Sequence, residues 1–175
     1  MEGVKLLEPD IFNDERGYFF ESWNENQYRQ FGLPQKFVQD NISSSKKGVI
    51  RGLHYQIPRP QGKLIFVLDG EIFDVVVDLR KKSPKFGTWY GVTLSDKRHQ
   101  QLFVPAGFAH GFQVLNERAT IQYKCTEFYS PSDEVGIRWD DPSLAIEWPV
   151  KEIVVSEKDR TLPLLEEISS DRLFE

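Results

Sequence analysis

Two histidines stand beside glycines in segments rich in aromatic and apolar residues: His54 in Arg51-Gly52-Leu53-His54-Tyr55-Gln56, and His110 in Gly107-Phe108-Ala109-His110-Gly111-Phe112. With an ordinary pKa of about 6.5, imidazole serves equally as a proton carrier near neutral pH and as a metal ligand. Barrels that hold Fe, Mn or Zn through two His and a carboxylate usually carry a His-x-His pair, whereas position 56 is Gln56, so the spacing argues against a metal site. Lys63 opens a strongly apolar run beyond a loop of Pro and Gly, and Ala119, Ile121, Tyr123 and Cys125 alternate onto one strand face, which carries Tyr123 inward. Singly, each of these is as readily a core or surface residue. As a set, a His base, a Lys cation and a Tyr acid suit removal and return of a proton beside a carbonyl.

A second group offers anion binding. Arg16 in Asp14-Glu15-Arg16-Gly17, Arg51 before His54, and Arg59 in the following loop carry the forked guanidinium that matches phosphate oxygens. Tyr129 in Phe128-Tyr129-Ser130-Pro131 presents a ring on which a nucleobase can stack, though an aromatic at a strand end is equally a packing residue.

The elements that must position these residues are mainly strands. From about residue 36 onward, short runs of Val, Ile, Phe, Tyr and Thr recur between turn residues. Lys63 to Leu68, Asp69-Gly70 and Glu71 to Arg80 read as a hairpin, with Phe73, Val75, Val77 and Leu79 on one face of a half-buried second arm. Further strands are predicted at 87–94, 101–104, 111–115, 119–128 and 136–138. Helices are few: 24–30, and 157–165 with Ser156 as cap and Pro163 limiting its length. Many short antiparallel strands in one domain spanning residues 1–175 predict an all-β closed barrel or double-sheet jelly roll, which limits exposed edges.

Composition narrows the class. A net charge of −5 offers nucleic acid no general attraction, while leaving room for a local basic pocket. With Cys125 as the only cysteine there is no intrachain disulfide and no cysteine-based zinc site. The N-terminal residues lack a signal-peptide pattern and no apolar window is long enough to span a membrane, so the expected location is the cytoplasm.

Several segments, in order and spacing, resemble the dTDP-4-dehydrorhamnose 3,5-epimerase family: Phe12 to Gly17, Phe37 to Asn41, Arg51 to Gln56, Gly62-Lys63-Leu64, Asp74-Val75 with Val77-Asp78, Pro105 to Phe112, Tyr123-Lys124, Tyr129-Ser130-Pro131 and Ser156 to Asp159. The resemblance implies a cupin-type jelly roll, a homodimer, no metal or organic cofactor, and epimerisation of a dTDP-linked 4-keto-6-deoxy sugar at C3 and C5. It assigns His54 as base, Asp159 as its orienting partner, Lys63 as enolate stabiliser and Tyr123 as the opposing acid. It further implies ligand contacts from Arg16, Glu21, Gln39, Asp40, Asn41, Arg51, Lys63, His110, Tyr129, Glu134 and Lys158. The N-terminal segment is expected to cross to the partner subunit, so that Arg16 and Glu21 complete the neighbour's site. Strict alternation puts Arg51 and His54 on opposite faces, and a bulge at Gly52 is predicted to bring both to the ligand. Two other readings stay open: an epimerase acting at one carbon only, and a non-catalytic nucleotide-sugar-binding cupin.

Overall fold

A computed structural model describes residues 1–34 and 36–175. Its strands are β1 (Lys5–Leu7), β2 (Phe12–Asp14), β3 (Gly17–Phe19), β4 (Gln39–Lys46), β5 (Ile50–Gln56), β6 (Lys63–Asp69), β7 (Glu71–Asp78), β8 (Trp89–Ser95), β9 (Gln101–Val104), β10 (Phe108–Val114), β11 (Arg118–Cys125) and β12 (Glu134–Gly136). They form two five-stranded antiparallel sheets, in orders β1-β9-β6-β11-β4 and β12-β5-β10-β7-β8, with β2 and β3 as a separate hairpin. This is the all-β double-sheet jelly roll expected of the cupin type.

Period-two alternation sorts the apolar side chains into three clusters. Ile65, Val67, Leu102 and Ile121 of the first sheet meet Ile72, Val76, Phe112 and Val114 of the second in the space between the sheets. The outer face of the second sheet, with Val75, Val77 and Leu79, lies under Ile137, Leu144, Trp148 and the C-terminal residues. On the outer face of the first sheet, Leu64 and Phe103 are covered by Tyr28 and Leu33. Tyr28 belongs to α1 (Glu25–Gln30), which starts as predicted at Asn24, whose side chain accepts from the N–H groups of Asn26 and Gln27.

Three sequence readings are corrected. Strands β6 and β7 are not a hairpin: β6 lies between β9 and β11 in the first sheet, and β7 between β10 and β8 in the second. Gly70, at φ +87°, is the corner where the chain changes sheets. Both strands are apolar on both faces, so each takes an interior place in a different sheet rather than sharing one. For the same reason β7 is buried on both sides, not half-buried, and its Asp74 and Asp78 are fully buried. The second helix, α2 (Glu157–Arg160), ends before Leu165. Ser156 caps it as predicted, but Thr161 closes it and Leu165 opens a separate 3₁₀ turn. Strand β4 was not marked by the sequence because its serine run carries no apolar alternation.

Candidate active site

The site forms where the inner faces of the two sheets open to solvent. On β5 and β10, His54 and His110 stand directly opposite one another. Between His54 and Arg51 the register slips, since only two residues of β10 (His110 to Phe112) span three of β5. This is the bulge predicted at Gly52. Gly52 has φ +111°, and a Cβ there would sit 2.5 Å from the Cα of Gly111, so only glycine allows the two backbones to approach. The slip brings Arg51 onto the cavity wall beside His54, where its Nε also donates to Ser45 Oγ at 2.9 Å.

His54 is held from two sides. Its Nε2 lies 2.7 Å from Asp159 Oδ1, supplied by α2, and its Nδ1 lies 3.6 Å from Glu134 Oε1, supplied by β12. Each ring nitrogen thus has a carboxylate neighbour, Asp159 within hydrogen-bond distance of Nε2 and Glu134 beyond that distance from Nδ1. Burial alone would raise the Asp159 carboxyl, but the His54 hydrogen bond and charge, the Ser156 hydroxyl and the Gly52 backbone outweigh it and hold the group below the usual carboxylate range. Glu134 is likewise held low against burial, by Lys158, the Tyr129 hydroxyl and His54.

Lys63 and Tyr123 face His54 from the first sheet, and these three residues line both of two adjoining cavities of about 290 and 260 Å³. The Lys63 ammonium lies 3.4 Å from the His54 carbonyl oxygen. Burial pushes its pKa down, opposed by Cys125, Glu134 and Asp74. Burial pushes the Tyr123 hydroxyl up, and Cys125 adds to the shift, so the phenol keeps its proton through neutral pH. The first cavity continues past Gln39, Asn41 and Glu134 to Tyr129. The second runs past Arg51, His110 and Phe112 to Lys158 and Asp159. A ligand entering either cavity meets His54, Lys63 and Tyr123 on the wall that the two share.

Not every predicted contact reaches this space. Asp40, between Gln39 and Asn41 on β4, points to the opposite face and pairs with Lys124 at 2.8 Å, as alternation requires. Arg16 and Glu21 are also away from it: Arg16 is exposed on the β2–β3 hairpin and paired with Asp14, and Glu21 accepts from Asn24. Asp74 received no role from the sequence, yet it holds His110 Nε2 at 2.9 and 3.0 Å from full burial. An acid inside an otherwise apolar strand was the signal. Among the described residues, no group of three or more His, Cys, Asp or Glu is arranged to hold a metal ion.

The family model for dTDP-4-dehydrorhamnose 3,5-epimerase matches residues 1–167. The chain belongs to this family. It is 51% identical over 170 residues to the dTDP-4-dehydrorhamnose 3,5-epimerase of Methanothermobacter thermautotrophicus, covering 95% of this chain and 92% of the relative. The Legionella pneumophila dTDP-6-deoxy-D-glucose-3,5-epimerase, solved in complex with dTDP-4-keto-L-rhamnose, superposes with a TM-score of 0.97 at 48% identity, covering 100% of this chain and 94% of that one. A 3'-monoepimerase of Streptomyces bikiniensis, solved with dTDP-quinovose, is more distant: TM-score 0.89 at 36% identity, covering 94% and 85%. Membership of the dTDP-4-dehydrorhamnose 3,5-epimerase family makes the chain an isomerase. Among the described residues, no helix is long and apolar enough to cross a membrane.

Proposed function

We propose that this chain converts dTDP-4-dehydro-6-deoxy-D-glucose into dTDP-4-dehydro-L-rhamnose, inverting C3 and C5 by proton removal on one face and return on the other. The observation that carries the reading is the opposition of His54, braced by Asp159, to Tyr123 across a cavity that also holds Lys63. Both C3 and C5 flank the C4 ketone. His54 takes the proton from one of them, the C–H electron pair passes to the C4 oxygen as an enolate, and the Lys63 ammonium stabilises that charge. Asp159 orients the ring and stabilises the imidazolium, the role an acid plays in a Ser-His-Asp triad. Tyr123 gives its proton to the carbon from the far face and regains one from solvent, and the imidazolium releases its own before the second round. No metal or organic cofactor enters this sequence.

Tyr129, 49% exposed at the outer end of the first cavity, is the platform for the thymine ring, and Arg51 and Lys158 are further ligand contacts, on the wall of the second cavity. Gln39, Asn41, His110 and Glu134 complete the ligand contacts. The N-terminal β2–β3 hairpin carries Arg16 and three exposed aromatics, Phe12, Tyr18 and Phe19. Its position outside its own cavity supports a homodimer in which Arg16 and Glu21 reach the partner's site. The whole chain, 1–175, acts as one domain of this cytoplasmic dimer.

Proton NMR of the purified protein with dTDP-4-dehydro-6-deoxyglucose in heavy water tests substrate, reaction and number of carbons together. Deuterium at both C3 and C5 with formation of the L-sugar is expected. Label at C3 alone or C5 alone replaces the double epimerisation with a monoepimerase, and no exchange removes the enzymatic reading.

A further inference from the structure

The ring of Tyr129 is half in solvent, and the residues that carry it, 127–130, follow β11 without a ladder of their own. What fixes them is a set of glutamine amides. Gln61 Nε2 donates to Glu127 O at 2.8 Å, and Gln56 Nε2 donates to Phe128 O at 3.1 Å. The N–H of Tyr129 donates to Gln39 Oε1 at 2.9 Å, and the N–H of Ser130 donates to Gln56 Oε1 at 2.8 Å. Four consecutive residues thus each commit one backbone group to a glutamine side chain.

Gln56 is the centre of this arrangement. It is 2% exposed, brackets Tyr129 on both sides, and donates also to Arg59 O at 3.0 Å. Reversing its amide would set its N–H groups against the Ser130 N–H and its oxygen against two carbonyls, so the pattern fixes which end is which. Only a carboxamide offers donor and acceptor together on a stem of this length. Gln56 also lies two residues beyond His54 on β5, so one strand carries both the base and the brace of the outer loop.

We propose that Gln56, seconded by Gln61 and Gln39, is the positioning residue that holds Tyr129 as a nucleobase platform at a fixed distance from His54. The inference rests on the reading of Tyr129 as the stacking residue. Stacking of a base on an aromatic ring adds to affinity in full only if the ring is already in place. Gln56 thereby sets affinity for the nucleoside part of the substrate without touching it.

The test is calorimetric binding of dTDP and, separately, of inorganic pyrophosphate, to the native protein, Gln56→Ala, Gln61→Ala, Tyr129→Ala and the double variant Gln56→Ala with Tyr129→Ala. Gln56→Ala is expected to weaken dTDP about tenfold, about 1.4 kcal/mol, with pyrophosphate binding unchanged, and to add nothing to the loss already caused by Tyr129→Ala. Gln61→Ala, at a less buried position, should give the same dTDP-selective loss in smaller measure, and decides the matter if Gln56→Ala does not fold. Equal weakening of both probes, additive losses in the double variant, or native dTDP affinity in folded Gln56→Ala and Gln61→Ala overturns the positioning role. Native dTDP affinity in Tyr129→Ala overturns the stacking reading itself and the inference with it.

Discussion

His54 and Asp159 are 105 residues apart in the chain, yet the Nε2 of one lies 2.7 Å from the Oδ1 of the other. The acid arrives on α2, a helix of only four residues whose Ser156 cap donor-acceptor pair fixes the Asp159 backbone. Held by Asp159 in this way, the imidazole has a fixed place on the wall shared by the two cavities. Replacing His54 by Asn removes the proton acceptor while keeping side-chain size, and is expected to lower kcat by about 10²–10⁴ with the fold intact. Loss of deuterium incorporation from heavy water, with an unchanged circular dichroism spectrum, is the measurement.

Asp159 also ties stability to pH. Its carboxyl is held below the usual range in the folded chain, so the unfolded state binds the proton more readily. Its stabilising contribution is therefore fully present above the unfolded carboxylate value of about 3.9 and is lost as pH falls through the lower folded value. The stability gap between the native protein and Asp159→Asn, read by urea unfolding, should be present at pH 5 and close as pH drops below about 4. A gap that goes on widening below pH 4 contradicts this account.

The Lys63 pKa is shifted in the same direction, here with burial as the cause. Burial disfavours its ammonium, so the charged form needed to hold the enolate is lost at a pH below the ordinary lysine value of about 10.4. The kcat/KM profile is expected to fall on its alkaline side in that region. Lys63→Met should abolish that limb and cost about 10²–10³ in kcat at neutral pH, the scale of one lost oxyanion donor.

Tyr123→Phe separates the two faces of the reaction. Without the phenol, His54 can still remove a proton and return it to the same face. Solvent exchange at C3 and C5 with retained configuration is expected to persist while epimer formation falls by about 10² or more. Exchange and inversion lost together would mean that Tyr123 serves only to bind.

The strand content, both helix starts and the inward face of β11 were legible because each rests on local periodicity or capping. The Asp69-Gly70 turn misled because a turn signal reports a change of direction, while the sheet that each arm joins depends on which faces other parts of the chain cover. Leu144, Trp148 and the C-terminal residues bury the outer face of β7, and no pattern within β7 announces them. Residue types also marked most of the cavity wall, as His54, His110, Lys63 and Tyr123 all face it. The brace of Gln56 on the Tyr129 loop was invisible, because a glutamine in a strand looks the same whether its amide meets water or three backbone groups. Asp40 shows the reverse: a motif taken whole includes a residue that strand alternation sends away from the site.

Gly52 tests the local geometry that joins Arg51 to His54. A Cβ at this position meets Gly111 Cα at 2.5 Å and His110 O at 2.6 Å, on backbone with φ +111°. Gly52→Ala must push β5 from β10 or abandon the bulge, at a cost of roughly 2 kcal/mol or more. Either response displaces Arg51 or His54, so kcat/KM should fall in whatever fraction remains folded. A variant with native melting temperature and native activity shows that the two strands have slack that their spacing does not suggest.

The placement of Arg16 yields a test of assembly. If Arg16 acts in the partner's cavity, the variants Arg16→Ala and His54→Asn are each defective as homodimers for different reasons. Mixing them through mild denaturation and refolding creates heterodimers in which one cavity combines His54 from the first chain with Arg16 from the second. That cavity is intact, so activity should rise on mixing towards a quarter of the native level per chain, since half the dimers are mixed and each has one whole site. Were Arg16 to serve its own chain, every cavity in the mixture would still lack one of the two groups, and activity would remain at the average of the two parents.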